Sequence, residues 1–400
     1  MKYIVMLCDG MADEPMEALR GHTPMEVAKT IHMDDMAQRS ELGIVRTVPE
    51  GMSPGSDTAN LSVMGYDPKK YYTGRSPVEA LSIGVDMQAE DVSFRCNLVT
   101  LSEEEENYAE KHILDHSSDE ITTEEAMVLV EALKEGLTRE EYAFYPGISY
   151  RHLLIWNHGQ VVELTPPHDI LTKQIGAYLP EDPVLREMME KSYDILNHHP
   201  INEARRARGL KPANSAWFWG AGTRPCLISF EEEHQVKGAM ISAVDLLKGI
   251  AVGAQMDNIH VEGANGGLHT NYAGKAQAAI HALTKEDYDF VYIHVEAPDE
   301  MGHQGSVENK ILAIEFIDDQ IIGPVKAAME EAREDFRMLV LPDHPTPVRL
   351  RTHTADPIPY MLYDSTKVYQ GASEYSEATG KASGIRVEEG YQLLGRMLQD

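Results

Sequence analysis

The sequence predicts an α/β fold with a mainly parallel sheet flanked by helices, and a smaller α+β domain inserted into it. Three observations point there. Three apolar runs of about six residues each lead into an aspartate, helical periodicities separate them, and residues 75–200 differ in texture from the rest.

The runs are Tyr3-Ile-Val-Met-Leu-Cys8 into Asp9, Phe290-Val-Tyr-Ile-His-Val295 through Glu296-Ala-Pro into Asp299, and Phe336-Arg-Met-Leu-Val-Leu341 through Pro342 into Asp343 and His344. Continuous aliphatic and β-branched runs of this length suit strands buried on both faces, as in a parallel sheet. Ligands of such sheets gather beyond the carboxyl ends of the strands. Three strands ending in Asp therefore place three carboxylates on one rim. Between Asn309 and Ala332, Ile314, Ile317, Ile321, Val325 and Ala328 recur at three- and four-residue steps, which marks one helical face. Ala239–Ala254 and Lys275–Leu283 also read as helices covering the sheet.

The middle mixes an acidic stretch (Glu103 to Glu106), an alternating segment at His152-Leu-Leu-Ile-Trp156 and a turn-rich piece at Thr165-Pro-Pro-His168. It reads as the inserted α+β domain, leaving 1–74 and 201–400 as one discontinuous domain. The acidic stretch reads as a solvated face.

Composition narrows the function classes. A net charge of -30 argues against a nucleic-acid or anionic-membrane partner, since each requires a basic face. No apolar run approaches the ~20 residues that span a bilayer. Three widely spaced cysteines, Cys8, Cys96 and Cys226, fit neither a disulfide framework nor a thiolate zinc site, so the cytoplasm is the expected compartment. The same negative charge repels a phosphorylated substrate, and local cations have to offset it.

A helical turn at Asp299-Glu-Met-Gly-His303 puts Asp299 and His303 on one side, within reach of one cation. Asp343 and His344 follow a buried strand, and His353 comes after a short turn-rich stretch containing Pro345-Thr-Pro347, Arg349 and Arg351. With Asp9 these residues offer oxygen and imidazole donors without thiolate, which suits manganese, zinc or magnesium. In Pro54-Gly-Ser-Asp-Thr-Ala-Asn60, Gly55 permits a tight turn and Ser56 stands where a helix N-cap belongs. A helix N-terminus also receives a phosphoryl group well. With a metal against its Oγ, Ser56 becomes a nucleophile near neutral pH.

Asp9-Gly-Met-Ala-Asp13, Gly55-Ser-Asp-Thr-Ala59, Ala297-Pro-Asp-Glu-Met-Gly-His303 and Asp343-His344 stand in the order seen in cofactor-independent phosphoglycerate mutases. Tyr72-Thr-Gly-Arg-Ser-Pro-Val-Glu-Ala80, Phe94-Arg-Cys-Asn97, Asp115-His-Ser117, Tyr150-Arg-His152 and Gly263-Ala-Asn-Gly-Gly267 extend the resemblance over nearly the whole chain. It resembles the shorter, archaeal-type branch within the alkaline phosphatase superfamily. The resemblance implies an alkaline-phosphatase-like fold and a phosphoserine intermediate on Ser56. It implies one metal held by Asp9, Ser56, Asp343 and His344, and another by Asp299, His303 and His353. Arg95, Arg151 and Asp115 would meet the carboxylate and hydroxyls of glycerate, with His116 and Lys275 as further candidates. The phosphoryl group would pass between the two monophosphoglycerates without bisphosphoglycerate, the inserted domain closing to exclude water.

Asn60 stands where such mutases often carry His. Thr47-Val-Pro-Glu-Gly-Met52 and Lys69-Lys-Tyr-Tyr-Thr-Gly-Arg75 also resemble a bacterial subgroup proposed to be homoserine kinases. There is no Walker A loop or kinase glycine loop for ATP. A metal-dependent phosphohydrolase, in which water takes the phosphate from Ser56, is the third chemistry open to this residue set.

Overall fold

The computed structural model describes residues 1–137 and 139–399. In chain order the strands are β1 (Lys2–Cys8), β2 (Glu41–Val45), β3 (Val92–Leu101), β4 (Ile113–Asp115), β5 (Tyr142–Tyr145), β6 (Arg151–Trp156), β7 (Ser215–Thr223), β8 (Gly238–Ile241), β9 (Asp257–Asn258), β10 (Phe290–Val295), β11 (Phe336–Leu341), β12 (Ile358–Asp364) and β13 (Arg386–Val387). The chain forms two compact units, one of Met1–Tyr72 with Cys226 onward, the other of Thr73–Pro225.

The first unit holds an eight-stranded sheet in the order β13-β2-β12-β11-β1-β10-β8-β9. The five strands from β11 to β9 are parallel, and β12 joins β11 antiparallel. The three aliphatic runs of the sequence are thus the three adjacent strands β11, β1 and β10. Their continuous apolar character has a simple cause, because every residue of β10 and β11 is buried. Ile4, Met6 and Cys8 of β1, Val291, Ile293 and Val295 of β10, and Met338 and Val340 of β11 share one core. Ala276, Ala279 and Leu283 from the helix Tyr272–Lys285, and Ile314, Ile317 and Val325 from the segment after β10, pack into it. This is an α/β architecture with a mainly parallel sheet flanked by helices. Among the described residues, no helix is long and apolar enough to cross a membrane.

Two helical expectations change. Ala239–Ala254 is not one helix, because Gly238–Ile241 is β8, paired in parallel with β10, and the helix begins only at Asp245. A four-residue apolar run carries no period that separates helix from strand. The Asn309–Ala332 pattern is helical throughout but is interrupted by a π-helical turn at Asp318–Ile322. Pro324 lacks the N–H that an α-helical ladder needs there. The Asp318 carboxylate accepts N–H groups of His32 and Met33 at 3.0 and 2.7 Å, tying in the helix Ile31–Ala37.

The second unit is a five-stranded sheet in which β3 pairs antiparallel with β4, β6 and β7, and β6 with β5. Leu129 and Leu133 of the helix Thr123–Leu137 and Leu185, Met188 and Met189 of the helix Pro183–Leu196 close its core over Phe94, Cys96 and Leu98. Its limits, 73 and 225, differ from the expected 75 and 200. The C-terminal edge moves because β7, far along the chain, pairs with β3 from Val92 to Val99.

Candidate active site

The parallel strands end in step. Cys8 lies opposite Val295 and Leu7 opposite Leu341, so Asp9, Glu296 and Pro342 emerge on one rim. Gly10 follows Asp9 with φ 61°. A Cβ there would fall 2.5 Å from both Asp299 Oδ1 and Thr346 Oγ1, so the turn demands glycine. The Gly10 N–H donates to Asp343 Oδ1 at 3.1 Å, and the His344 N–H to the same oxygen at 2.9 Å. β10 runs through Glu296 into the helix Ala297–Gln304, which carries Asp299 and His303 one turn apart.

Two adjoining clusters result. In the first, His344 Nε2 lies 3.3 Å from Asp343 Oδ2 and 3.8 Å from Asp9 Oδ1. In the second, His303 Nε2 lies 3.2 Å from Asp299 Oδ2 and 2.9 Å from His353 Nε2, which is itself 3.4 Å from Asp299 Oδ1. His303 Nδ1 faces the Arg351 carbonyl oxygen at 3.0 Å. The rings of His344 and His353 stack with centroids 3.9 Å apart. His344 consequently reaches both clusters, and Asp299, His344 and His353 gather as closely as Asp9, Asp343 and His344 do. The family resemblance implies His344 for the metal held with Asp9, Ser56 and Asp343.

Ser56 differs from expectation in its local role. The helix runs Ser56–Val63 with Gly55 as N-cap, and no side chain caps it. Ser56 is its first helical residue, and its Oγ lies 3.1 Å from His344 Nε2. The hydroxyl therefore faces the first cluster instead of closing the helix end.

The electrostatics call for cations. Burial, then the charge of Asp343, push the Asp9 carboxyl well above its ordinary pKa. Burial also works to raise Asp299, but hydrogen bonds from His303 and His353 hold it well below the usual carboxylate range. Asp299 also holds His303 up to about 9. Asp9 Oδ1 is buried without a hydrogen-bond partner. Three crowded carboxylates, imidazole nitrogens that converge on one another and an unpartnered oxygen form a donor set that fits hard or borderline divalent cations.

The other expected site residues fall in two places. Lys275 is buried in the first unit, where its Nζ donates to the His294 carbonyl oxygen at 2.7 Å. In the second unit, Arg95 is buried, donates from Nε to Glu79 at 3.0 Å and lies over the Trp219 ring at 4.4 Å. Arg151 lies 5.2 Å from the Tyr150 ring, which meets His116 edge-on at 5.8 Å. Asp115 accepts Lys211 Nζ and the N–H groups of Ser117 and Asp119. Burial opposes its ionisation, and these donors outweigh it, holding the carboxyl well below its usual value.

Sequence reasoning passed over His168, which stands beside both His116 and Trp219. It also passed over Thr346, whose hydroxyl donates to Asp299, and over Tyr292 and His294. The signal for the last two was present, as polar groups two residues apart in an otherwise aliphatic strand.

A mainly parallel sheet with carboxylates and imidazoles at adjacent strand ends, beside a serine at a helix start, defines an α/β protein with a candidate divalent-cation centre. The family model described as 2,3-bisphosphoglycerate-independent phosphoglycerate mutase matches residues 37–202. The chain is 48% identical to a protein of Geobacter sulfurreducens named a probable 2,3-bisphosphoglycerate-independent phosphoglycerate mutase, over 100% of both chains. It is 45% identical to the Methanosarcina barkeri protein of that name, again over 100% of both. Among solved structures, a protein of Pyrococcus horikoshii matches with 30% identity and a TM-score of 0.83, covering 99% of this chain and 96% of that one. The cofactor-independent phosphoglycerate mutase of Thermoplasma acidophilum matches with 26% identity and a TM-score of 0.66, covering 100% and 99%. The chain belongs to the 2,3-bisphosphoglycerate-independent phosphoglycerate mutase family.

Proposed function

We propose that this chain interconverts 3-phosphoglycerate and 2-phosphoglycerate, a glycolytic step, through a phosphoserine at Ser56, without bisphosphoglycerate. The observation that carries the reading is the Ser56 hydroxyl, 3.1 Å from His344 Nε2 and free of any capping duty. Asp9, Ser56, Asp343 and His344 would hold one divalent cation, and Asp299, His303 and His353 another, with His344 in reach of both. Manganese, zinc and magnesium all suit these donors. Such cations, when bound, lower the pKa of the serine hydroxyl and offset the charge on phosphoryl oxygens.

Ser56 Oγ forms a bond to phosphorus as the bond from phosphorus to the substrate oxygen breaks, and the serine proton ends on the released glycerate hydroxyl. The reverse transfer to the neighbouring hydroxyl completes the exchange. The helix N-terminus at Ser56 adds its dipole to the binding of the phosphoryl group. Arg95, Arg151, Asp115 and His116 are assigned to the carboxylate and hydroxyls of glycerate, and Lys275 to the same substrate-binding set. Three widely spaced cysteines fit a cytoplasmic enzyme, and bound cations would offset the net negative charge that otherwise repels a small phosphorylated metabolite.

The test is interconversion of the two monophosphoglycerates by metal-replete protein without added bisphosphoglycerate, its loss on chelation, and a phosphoryl mass on the Ser56 peptide. Phosphorylation of homoserine from ATP in its place, or free phosphate as the main product, would overturn the reading.

A further inference from the structure

Tyr292 and His294 leave β10 on one face, because side chains alternate along a strand. Val291, Ile293 and Val295 pack into the core on the other. His294 is fully buried, and its Nε2 lies 2.8 Å from Asp9 Oδ2. Its Nδ1 lies 3.1 Å from Ser242 Oγ, which accepts the Val244 N–H at 3.0 Å and so keeps its own proton for the imidazole. That leaves Nε2–H to donate to the Asp9 carboxylate. Tyr292 is tied to the other aspartate. Its hydroxyl donates to Asn60 Oδ1 at 2.6 Å, and Asn60 Nδ2 donates to Asp343 Oδ2 at 3.0 Å and to the Ser56 carbonyl oxygen at 2.8 Å.

One face of one strand therefore sets the rotation of two carboxylates. With Oδ2 of Asp9 held by His294, its unpartnered Oδ1 is the oxygen turned toward His344. With the Asn60 amide oriented by Tyr292, Asp343 presents Oδ2 to the same ring.

We propose that Tyr292 and His294 are positioning residues for cation binding, Tyr292 acting on Asp343 through Asn60 and His294 acting directly on Asp9. This rests on the reading of Asp9 and Asp343 as cation ligands. Partners of this kind hold a ligand in its binding orientation, so removing one weakens metal affinity by about 10–100-fold.

The experiment titrates metal-free full-length chain with Mn2+, following heat and the manganese paramagnetic resonance signal, and records the thermal melt of each metal-free sample. Tyr292→Phe removes a single oxygen, His294→Leu removes the donor to Asp9, and His294→Gln restores a side-chain N–H. The expected result is about 10–100-fold weaker Mn2+ binding in Tyr292→Phe and His294→Leu. His294→Gln should recover most of the loss, and metal-free Tyr292→Phe should still unfold in one cooperative transition, at a melt lowered by no more than the loss of one buried hydrogen bond. If His294→Leu does not fold, Tyr292→Phe decides. Binding within about twofold of the parent in folded variants overturns the inference while leaving the ligand assignment standing. A parent chain that takes up no Mn2+ overturns both.

Discussion

Replacing Ser56 with Ala separates a structural serine from a chemical one. An N-cap serine changed to Ala costs about 0.5–2 kcal/mol of stability. Here the N-cap is Gly55 and the Ser56 side chain closes no helical N–H. Its recorded hydrogen bond is the 3.1 Å contact to His344 Nε2, at a half-buried position. Ala also has the higher helix propensity at a helical position, by a few tenths of a kcal/mol. The expected change in unfolding free energy is therefore within about 0.5 kcal/mol of zero. The loss in transfer should be far larger. Without Oγ no covalent phosphoryl intermediate forms, and a fall of at least about 10³ in turnover corresponds to roughly 4 kcal/mol of barrier. Urea unfolding measures the first quantity and nuclear magnetic resonance of the phosphoglycerates the second. A variant destabilised by more than about 1 kcal/mol that still turns over near the parent rate would refute the reasoning.

Three further outcomes follow from the same geometry. Gly10→Ala should lose at least about 1–2 kcal/mol from its positive φ alone, and more because the new Cβ meets Asp299 and Thr346 at 2.5 Å; denaturant midpoints that match the parent would contradict this. Burial holds His152 down to about 4 while its Nδ1 accepts the Gly147 N–H. The unfolded chain then binds the extra proton between about pH 6.5 and 4, so stability falls as pH falls through that window, by roughly 2 kcal/mol from about pH 7 to 5. His152→Asn, whose Oδ1 can accept the same N–H, should flatten that part of the profile in urea titrations. Chelation should lower the melting temperature, since a cation present at about a hundred times its Kd adds about 2.7 kcal/mol. Equal melts with and without chelator would count against the two clusters as cation sites.

Much of the site was legible because the physics that makes it is local. A strand buried on both faces is aliphatic throughout, so β1, β10 and β11 stood out, and the first polar residues beyond them marked the rim. The i,i+4 spacing of Asp299 and His303 needed only one helical turn. What escaped notice depended on distant partners. Gly238–Ile241 becomes a strand because β10 pairs with it, and β7 joins the second unit because β3 waits for it. Ser56 resembled a cap because N-cap and first helical residue are one position apart, and sequence does not fix boundaries that finely. The roles of Tyr292 and His294 depend on Asn60 and Asp9, which lie far off in sequence and touch them only in the fold.

The place of β1 between β10 and β11 also governs when this protein comes into being. During synthesis β1 leaves the ribosome well before the two neighbours that cover its edges, which are encoded about 290 and 330 residues later. At 5–20 residues per second, roughly 15–60 s pass before the first of them appears. Through that interval an apolar strand with two open edges needs shelter from aggregation. Asp9 meanwhile has none of its distant ligand partners, so no partly made chain can carry the assembled centre.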